Sequence, residues 1–323
     1  MRLKLVPQDT SIDFLGSWKI TFGTSMVLMV LSVVAFFTFG LNFGIDFRGG
    51  TSIRTEATQP VDVGAYRNAI QPLGLGDVAI SEVFDPTFGA EQNVAMVRIQ
   101  TQEGQESVPP AVLDQVQSAL QEVDPTLRFT SVESVGPKVS GELVQSAILA
   151  VTAALAAILF YIWLRFEWQF SVGAVAALVH DVVLTIGLFS VLQIRFDLAI
   201  IAAILTIVGY SINDTVVVFD RMRENLIKYK KRPLIDVFNL SLNDTLSRTV
   251  MTSVTTLLAL LSLFILGGDV IRGFVFAMIW GVIVGTWSSM FVAAVVVKRL
   301  GVKRDWSKTD TDKPGTQFST SGN

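Results

Sequence analysis

Six apolar runs, 20–41, 143–164, 170–194, 198–219, 249–268 and 273–297, each exceed the roughly 18 residues that mark a helix able to cross a bilayer. In lipid each backbone amide must be paired within its own segment, so runs of this length fold as spanning helices. A hydrophobic share of 51%, a charged share of 16% and a mean hydropathy of +0.54 exclude the usual soluble domain. Within the six runs the only carboxylates and imidazoles belong to His180, Asp181 and Asp214. Even the mildest insertion scales put an Asp at a helix centre at about +2.5 to +3.5 kcal/mol. Asp214, inside LAIIAAILTIVGYSINDTVVVF, therefore asks for an ion-handling or pairing role.

The basic residues orient the bundle. Arg2, Lys4 and Lys19 precede the first run, seven Lys or Arg fall between Arg221 and Arg248, and six lie from Lys298 onward. All three groups share one side, which the positive-inside rule makes cytoplasmic. The long segment 42–140, with six basic against thirteen acidic residues, is then external. The expected plan is N-in and C-in: a cytoplasmic segment 1–19, a first helix over 20–41 and an external domain over 42–140. Helices two to six follow over 141–299 with a cytoplasmic loop at 220–248, and a polar, disordered tail occupies 300–323. The first run is longer than a typical signal h-region and no small-x-small site follows it, so it reads as an uncleaved anchor. The chain has no cysteine, so the external domain uses no disulfide.

That domain reads as βαββαβ, a ferredoxin-like α+β arrangement. Alternation marks strands over 51–57, 78–84, 94–101 and 127–132, with a turn-rich DPTFGAEQ stretch at 85–92. Val63, Tyr66 and Ile70 have helical spacing, as do Leu113, Val116 and Leu120 after Pro109 and Pro110. It holds no His, no Cys and no glycine-rich phosphate loop, so a binding or lever role is expected and catalysis is not.

At about 100° per residue, Thr206, Tyr210, Ser211, Asn213 and Asp214 share one arc of the fourth helix. Such a stripe avoids lipid by facing a helix or a water-filled cavity. Arg248, Thr252, Thr255 and Ser262 line one face of the fifth helix, and the two faces are expected to satisfy each other. Asp214 lies near the inner end of its helix and Arg248 at the inner start of the next, so they can meet. Arginine keeps its proton whereas aspartate releases it; a close Arg favours the carboxylate, and removing it favours the neutral acid. His180 and Asp181 point about 100° apart. Asp181 is expected to bond Thr185 or a neighbouring helix, with a second relay as the other reading, and His180 to be packed. Gly281, Gly285 and Ser289, like Ala150 and Ala154 or Ala153 and Ala157, repeat every four residues and mark close-packing faces. After the basic KYKKR, a topology and anionic-lipid signal, Leu234, Phe238, Leu242 and Leu246 suggest a helix lying along the interface over 233–245.

Four motifs are longer than chance allows: GIDFRGGT at 44–51, VGPKVSGEL at 135–143, GYSINDTVVVFDRMRENL at 209–226 and NLSLNDTLSRT at 239–249. Gly49 and Gly50 suit a tight joint where a helix hands over to a strand. The chain resembles the SecD/SecF protein-export family of the resistance-nodulation-division superfamily, and GIDFRGGT, with Gly44, Asp46, Arg48, Gly49 and Gly50, is similar to the signature opening its periplasmic domain. The resemblance implies a six-helix half-transporter of the bacterial inner membrane, completed by a SecD partner as a parallel repeat. It implies work beside the SecY/SecE/SecG channel, with YajC and YidC as further partners, exported preproteins as cargo, and contact with lipids but not nucleic acid. It implies that the proton-motive force drives that work, with protons as the coupling ion and Na⁺ as the alternative, and it implies neither cofactor nor metal. By the resemblance Asp214 matches the relay carboxylate and Arg248 its basic partner, and no other residue is carried over as a site of the first rank; His180, Asp181, Thr206, Tyr210, Asn213 and Thr252 are expected as secondary polar sites from their place in the helices.

Other functions predict other features. An intramembrane aspartyl protease would also set carboxylates on neighbouring helices, but Asp181 and Asp214 lack a GxGD context, and no GxSG segment accompanies the lone His. A small-molecule or lipid exporter half of the same superfamily and a passive assembly scaffold remain open as alternatives.

Overall fold

The computed structural model describes residues 10–76, 78–83, 92–100 and 108–302. Most of the expected turn at 85–92, the basic residues Arg2 and Lys4, and the polar tail from 303 lie outside these residues. Six helices are long and apolar enough to cross a membrane among the described residues. They are α1 (Trp18–Phe39), α5 (Pro137–Arg165), α6 (Trp168–Leu192), α7 (Leu198–Lys228), α8 (Leu234–Leu266), and α9 (Asp269–Ser288), which continues through a π turn (Ser289–Ala293) into α10 (Ala294–Leu300).

Between α1 and α5 the chain forms β1 (Asn42–Phe43), the single turn α2 (Ile45–Arg48), β2 (Gly50–Ala57), α3 (Val63–Ile70), β3 (Val78–Val83), β4 (Asn93–Ile99), α4 (Pro110–Val123) and β5 (Arg128–Val135). The last four strands make an antiparallel sheet of order β3-β4-β2-β5, with β2 bonded on both edges. One face is covered by α3 and α4, whose Tyr66, Ile70, Val116 and Leu120 pack on Ile53, Val97 and Ile99, all nearly sealed from solvent. The other face looks towards the domain-side ends of the long helices across a cavity of ≈1080 Å³, lined among others by Arg54, Met96, Arg98 and Glu133 of the sheet and by Arg195, Arg272 and Phe274.

Two expectations about the helices change. The stretch 220–248 is no loop: α7 and α8 run on until only 229–233 connects them. The helix expected along the interface is the first half of α8, and the reason is what its apolar stripe meets. Val237, Phe238 and Leu242 are fully buried in one cluster with Phe219, Met222 and Leu226 of α7. Polar clamps flank that contact: Asn225 Nδ2 donates to Ser241 Oγ at 3.0 Å and Asp244 Oδ2 at 3.0 Å, and Arg221 Nε donates to Asp244 Oδ2 at 2.8 Å. Residues ahead of α1 strap across the same half, with Ile12 N and Leu15 N donating to Asn243 Oδ1 and Asn239 Oδ1 at 2.8 and 3.0 Å.

The small-residue faces also divide. In α9 a Cβ on Gly281 would stand 2.2 Å from Ile207 Cγ1, and one on Gly285 3.1 Å from Ser211 Cβ, so α9 packs directly on α7. In α5, by contrast, Ala150, Ala153 and Ala157 are exposed, and so are Ile148, Leu149, Phe160, Trp163 and Leu164. Among the described residues no helix closes on that alanine face, which leaves it to lipid or another protein.

Gly281→Val forces extra carbons against the branched Ile207 side chain, an overpacking that costs about 1–3 kcal/mol. Thermal unfolding in detergent should show a lower Tm for Gly281→Val and partial recovery on adding Ile207→Ala; an unchanged Tm contradicts the close α7–α9 contact.

Candidate functional site

Two intramembrane carboxylates sit in contrasting surroundings. Asp181 of α6 is 0% exposed and fully engaged. Its Oδ2 accepts from Ser211 Oγ of α7 at 2.5 Å and from Ser288 Oγ of α9 at 2.8 Å, and its Oδ1 lies 3.0 Å from His180 Nδ1. Thr185 Oγ1 donates to the Asp181 backbone carbonyl at 2.7 Å. One carboxylate thus joins three helices, and the 100° offset between His180 and Asp181 does not stop their side chains meeting. His180 is 1% exposed, and its Nε2 has no hydrogen-bond partner among the described residues. Ser288 immediately precedes the π turn, a local rewinding of the kind often found at functional sites.

Asp214 of α7 is 4% exposed, yet its Oδ2 has no partner among the described residues. The Tyr210 hydroxyl, one turn earlier, and Thr249 Oγ1 on α8 are buried without partners too. A buried polar atom left unmatched costs roughly 1–3 kcal/mol, and more when charged. Each such atom on α7 and α8 is a point where water, a proton or another chain can complete the structure.

Arg248 is exposed, and no ion pair within 4.0 Å joins it to Asp214. The two nevertheless share a level. Asp214 lies 14 residues from the end of α7 and Arg248 14 residues from the start of α8; at 1.5 Å per residue both stand about 21 Å from the hairpin that joins the helices. Arg248 is therefore well inside α8 and not at its first turn.

The polar stripe on α7 splits in two. Ser211, Asp214 and Thr215 point into the bundle, whereas Thr206 and Asn213 are exposed and Tyr210 is half-buried. Gly209, on the outward side, has open space where a Cβ would stand. The expected mutual satisfaction with α8 does not occur: Thr252, Thr255 and Ser262 donate to carbonyls of their own helix at 2.9, 2.9 and 2.9 Å, and Thr206 does likewise at 2.7 Å. Self-bonded hydroxyls need no partner helix, so the outward stripe stays open.

The signature residues lie elsewhere, at the domain-side end. Gly44 N donates to Phe196 O at 2.8 Å, and Asp46 Oδ2 accepts from Leu198 N at 3.1 Å, at the first turn of α7. Gly49 and Gly50 adopt φ of 71° and 123°, and a Cβ on Gly50 would fall 2.5 Å from Ile99 O. Arg48 is exposed beside Arg98, which burial, Arg195 and Arg48 together hold below the usual arginine range. Sequence reasoning missed Ser288 and the partner of Asp46; the small-residue repeat around Gly285 and the signature carboxylate were the signals available for them.

The chain matches the family described as protein export membrane protein SecD/SecF, C-terminal, over residues 115–303, and the SecD/SecF GG motif over residues 34–61. It is 63% identical over 318 residues to the protein translocase subunit SecF of Cereibacter sphaeroides, which covers 98% of each chain. The SecF subunit of Rickettsia bellii is 40% identical over 296 residues, 91% of this chain and 95% of that one. The crystal structure of SecDF, a translocon-associated membrane protein from Thermus thermophilus, superposes with a TM-score of 0.81 at 35% identity. SecDF in a super-membrane-facing form gives 0.67 at 36% identity. The match covers 91% and 90% of this chain but 39% of each SecDF chain.

Since the sequence contains no cysteine, single replacements report exposure directly. In the isolated chain Thr206→Cys and Asn213→Cys should react with a membrane-permeant maleimide, while Ser211→Cys and Thr215→Cys stay unlabelled; equal labelling of all four contradicts the split stripe.

Proposed function

Because this chain belongs to the SecD/SecF protein-export family, on its SecF side, we propose that it acts with a SecD partner to draw preproteins outward across the bacterial inner membrane, driven by the proton-motive force. The observation that carries the proposal is Asp214: a buried carboxylate with an unmatched oxygen, next to a polar stripe that this chain leaves open. The SecDF chains are more than twice as long as the part matched here, which supports a second half seated on that stripe. The nearly equal identities and unequal TM-scores of the two SecDF forms support a fold that takes more than one arrangement.

In this reading Asp214 and Arg248 form the relay. With Arg248 swung towards it, Asp214 is the anion; with Arg248 directed away and water reaching the site from the other side, it takes a proton. One elementary charge crossing the membrane gains about 2.3 kcal/mol per 100 mV, comparable with a few hydrogen bonds. That is enough to bias a helix between two packings. His180, Asp181, Tyr210, Thr206, Asn213 and Thr252 surround the path, with Asp181 holding α7 against α6 and α9. The α/β domain, ferredoxin-like and periplasmic under the N-in, C-in orientation, takes up the motion. The SecY/SecE/SecG channel, YajC and YidC belong to the same proposal as neighbours, and the proton is the coupling ion.

Vesicles holding the channel, SecD and this chain test the relay. Asp214→Asn should abolish the stimulation of export by an imposed proton gradient, and a sodium gradient should not replace it. The exchange Asp214→Arg with Arg248→Asp should not restore stimulation. Recovery in the exchange variant identifies a static scaffold, and a full response in Asp214→Asn rules out the relay.

A further inference from the structure

The domain-side end of α7 is held by a joint that nothing in the relay explains. The segment β6 (Arg195–Phe196), just ahead of α7, pairs in parallel with β1, Asn42 against Arg195 and Phe43 against Phe196. Asn42 Nδ2 donates to Gln193 O at 2.9 Å, Gly44 N donates to Phe196 O at 2.8 Å, and the rings of Phe43, Phe47 and Phe196 pack edge-on or tilted with centroids 5.7–6.0 Å apart. Asp46 completes the joint. A helix begins with amides that have no partner inside it; in α7 the Leu198 amide is matched by Asp46, from a segment 152 residues away in sequence. Asp197 supplies the local cap, accepting from Ile200 N at 3.3 Å, so Asp46 is not needed to start the helix.

Three residues beyond Asp46, Phe47 to Gly49, the chain enters β2, the strand bonded on both edges of the domain's sheet. The connection is stiff. Gly49 N closes the single turn of α2 on Ile45 O at 2.8 Å, and Gly50 passes so near Ile99 O that no side chain fits. A displacement of α7 along its axis therefore reaches the central strand through the short β1–β6 pairing, the Asp46–Leu198 bond and one helical turn, with no flexible linker between them.

We propose that Asp46 is the positioning residue that couples α7, and through it Asp214, to the α/β domain. The proposal rests on the relay reading, and it assigns the signature carboxylate a mechanical task separate from ion transfer. Proton movement needs Asp214; full movement of the domain needs Asp214 and, beside the β1–β6 pairing, the bond between Asp46 and Leu198.

The experiment uses the full complex in vesicles. Spin labels at Ser118→Cys on α4 and Val191→Cys at the domain-side end of α6, both exposed, report the domain's position; a pH-sensitive dye reports proton flux. The parent should show a distance distribution that shifts when the gradient is imposed. Asp46→Ala should keep the flux and lose the shift, together with export stimulation. Asp46→Asn, which retains an acceptor oxygen, should regain both. Leu198→Pro removes the same bond from the donor side at a first helical position, where proline is tolerated, and should behave as Asp46→Ala does. A normal shift in Asp46→Ala and Leu198→Pro overturns the coupling, and so does loss of flux together with the shift. Flux that persists in Asp214→Asn instead overturns the relay, so the two failures are told apart.

Discussion

A carboxylate inside a helical bundle is tolerated only where hydrogen bonds, a counter-charge or a proton meets it. The two in this protein meet that condition differently, and much of the structure follows from the contrast. Asp181 is saturated by Ser211, Ser288 and His180, and so binds α6, α7 and α9 into one unit. Asp214, one turn beyond Ser211 on α7, keeps an oxygen without a partner among the described residues. The first carboxylate provides a fixed frame, and the second is the unfinished position within it.

Helix α7 is the element on which both demands fall. Its middle is pressed against α9 because Gly281 and Gly285 leave no side chain between them. Its hairpin half is pinned to α8 by Arg221 and Asn225, and its first turn is tied to the α/β domain through Asp46. One face, carrying Thr206 and Asn213, is left uncovered. A helix gripped at three levels and open on one face transmits an axial shift better than it accommodates a bend, which suits the proposed proton site in its middle and a load at its end.

Much of this was legible before any coordinates, because apolar length alone dictates spanning helices. The ends of those helices were not. Polar residues from Asp220 to Lys228 and from Asp236 to Arg248 look like loop, yet they belong to two amphipathic half-helices that bury Phe219, Met222, Phe238 and Leu242 against each other. Asp214 stood out because a lone charge in an apolar run is conspicuous. Its lack of an ion pair with Arg248 did not, since helical spacing gives faces and heights but not the direction of a long side chain. The partners of Asp181 and Asp46 come from elements 30 to 152 residues distant, a relation that no local pattern encodes.

The central claim is that Asp214 itself gains and loses a proton as the complex works. Infrared difference spectroscopy of the assembled complex, recorded between opposite imposed proton gradients, addresses it directly through the stretching band of a protonated carboxyl group. The account predicts a band in the parent protein and in Asp181→Asn that disappears in Asp214→Asn. A band that survives in Asp214→Asn and vanishes in Asp181→Asn would contradict it.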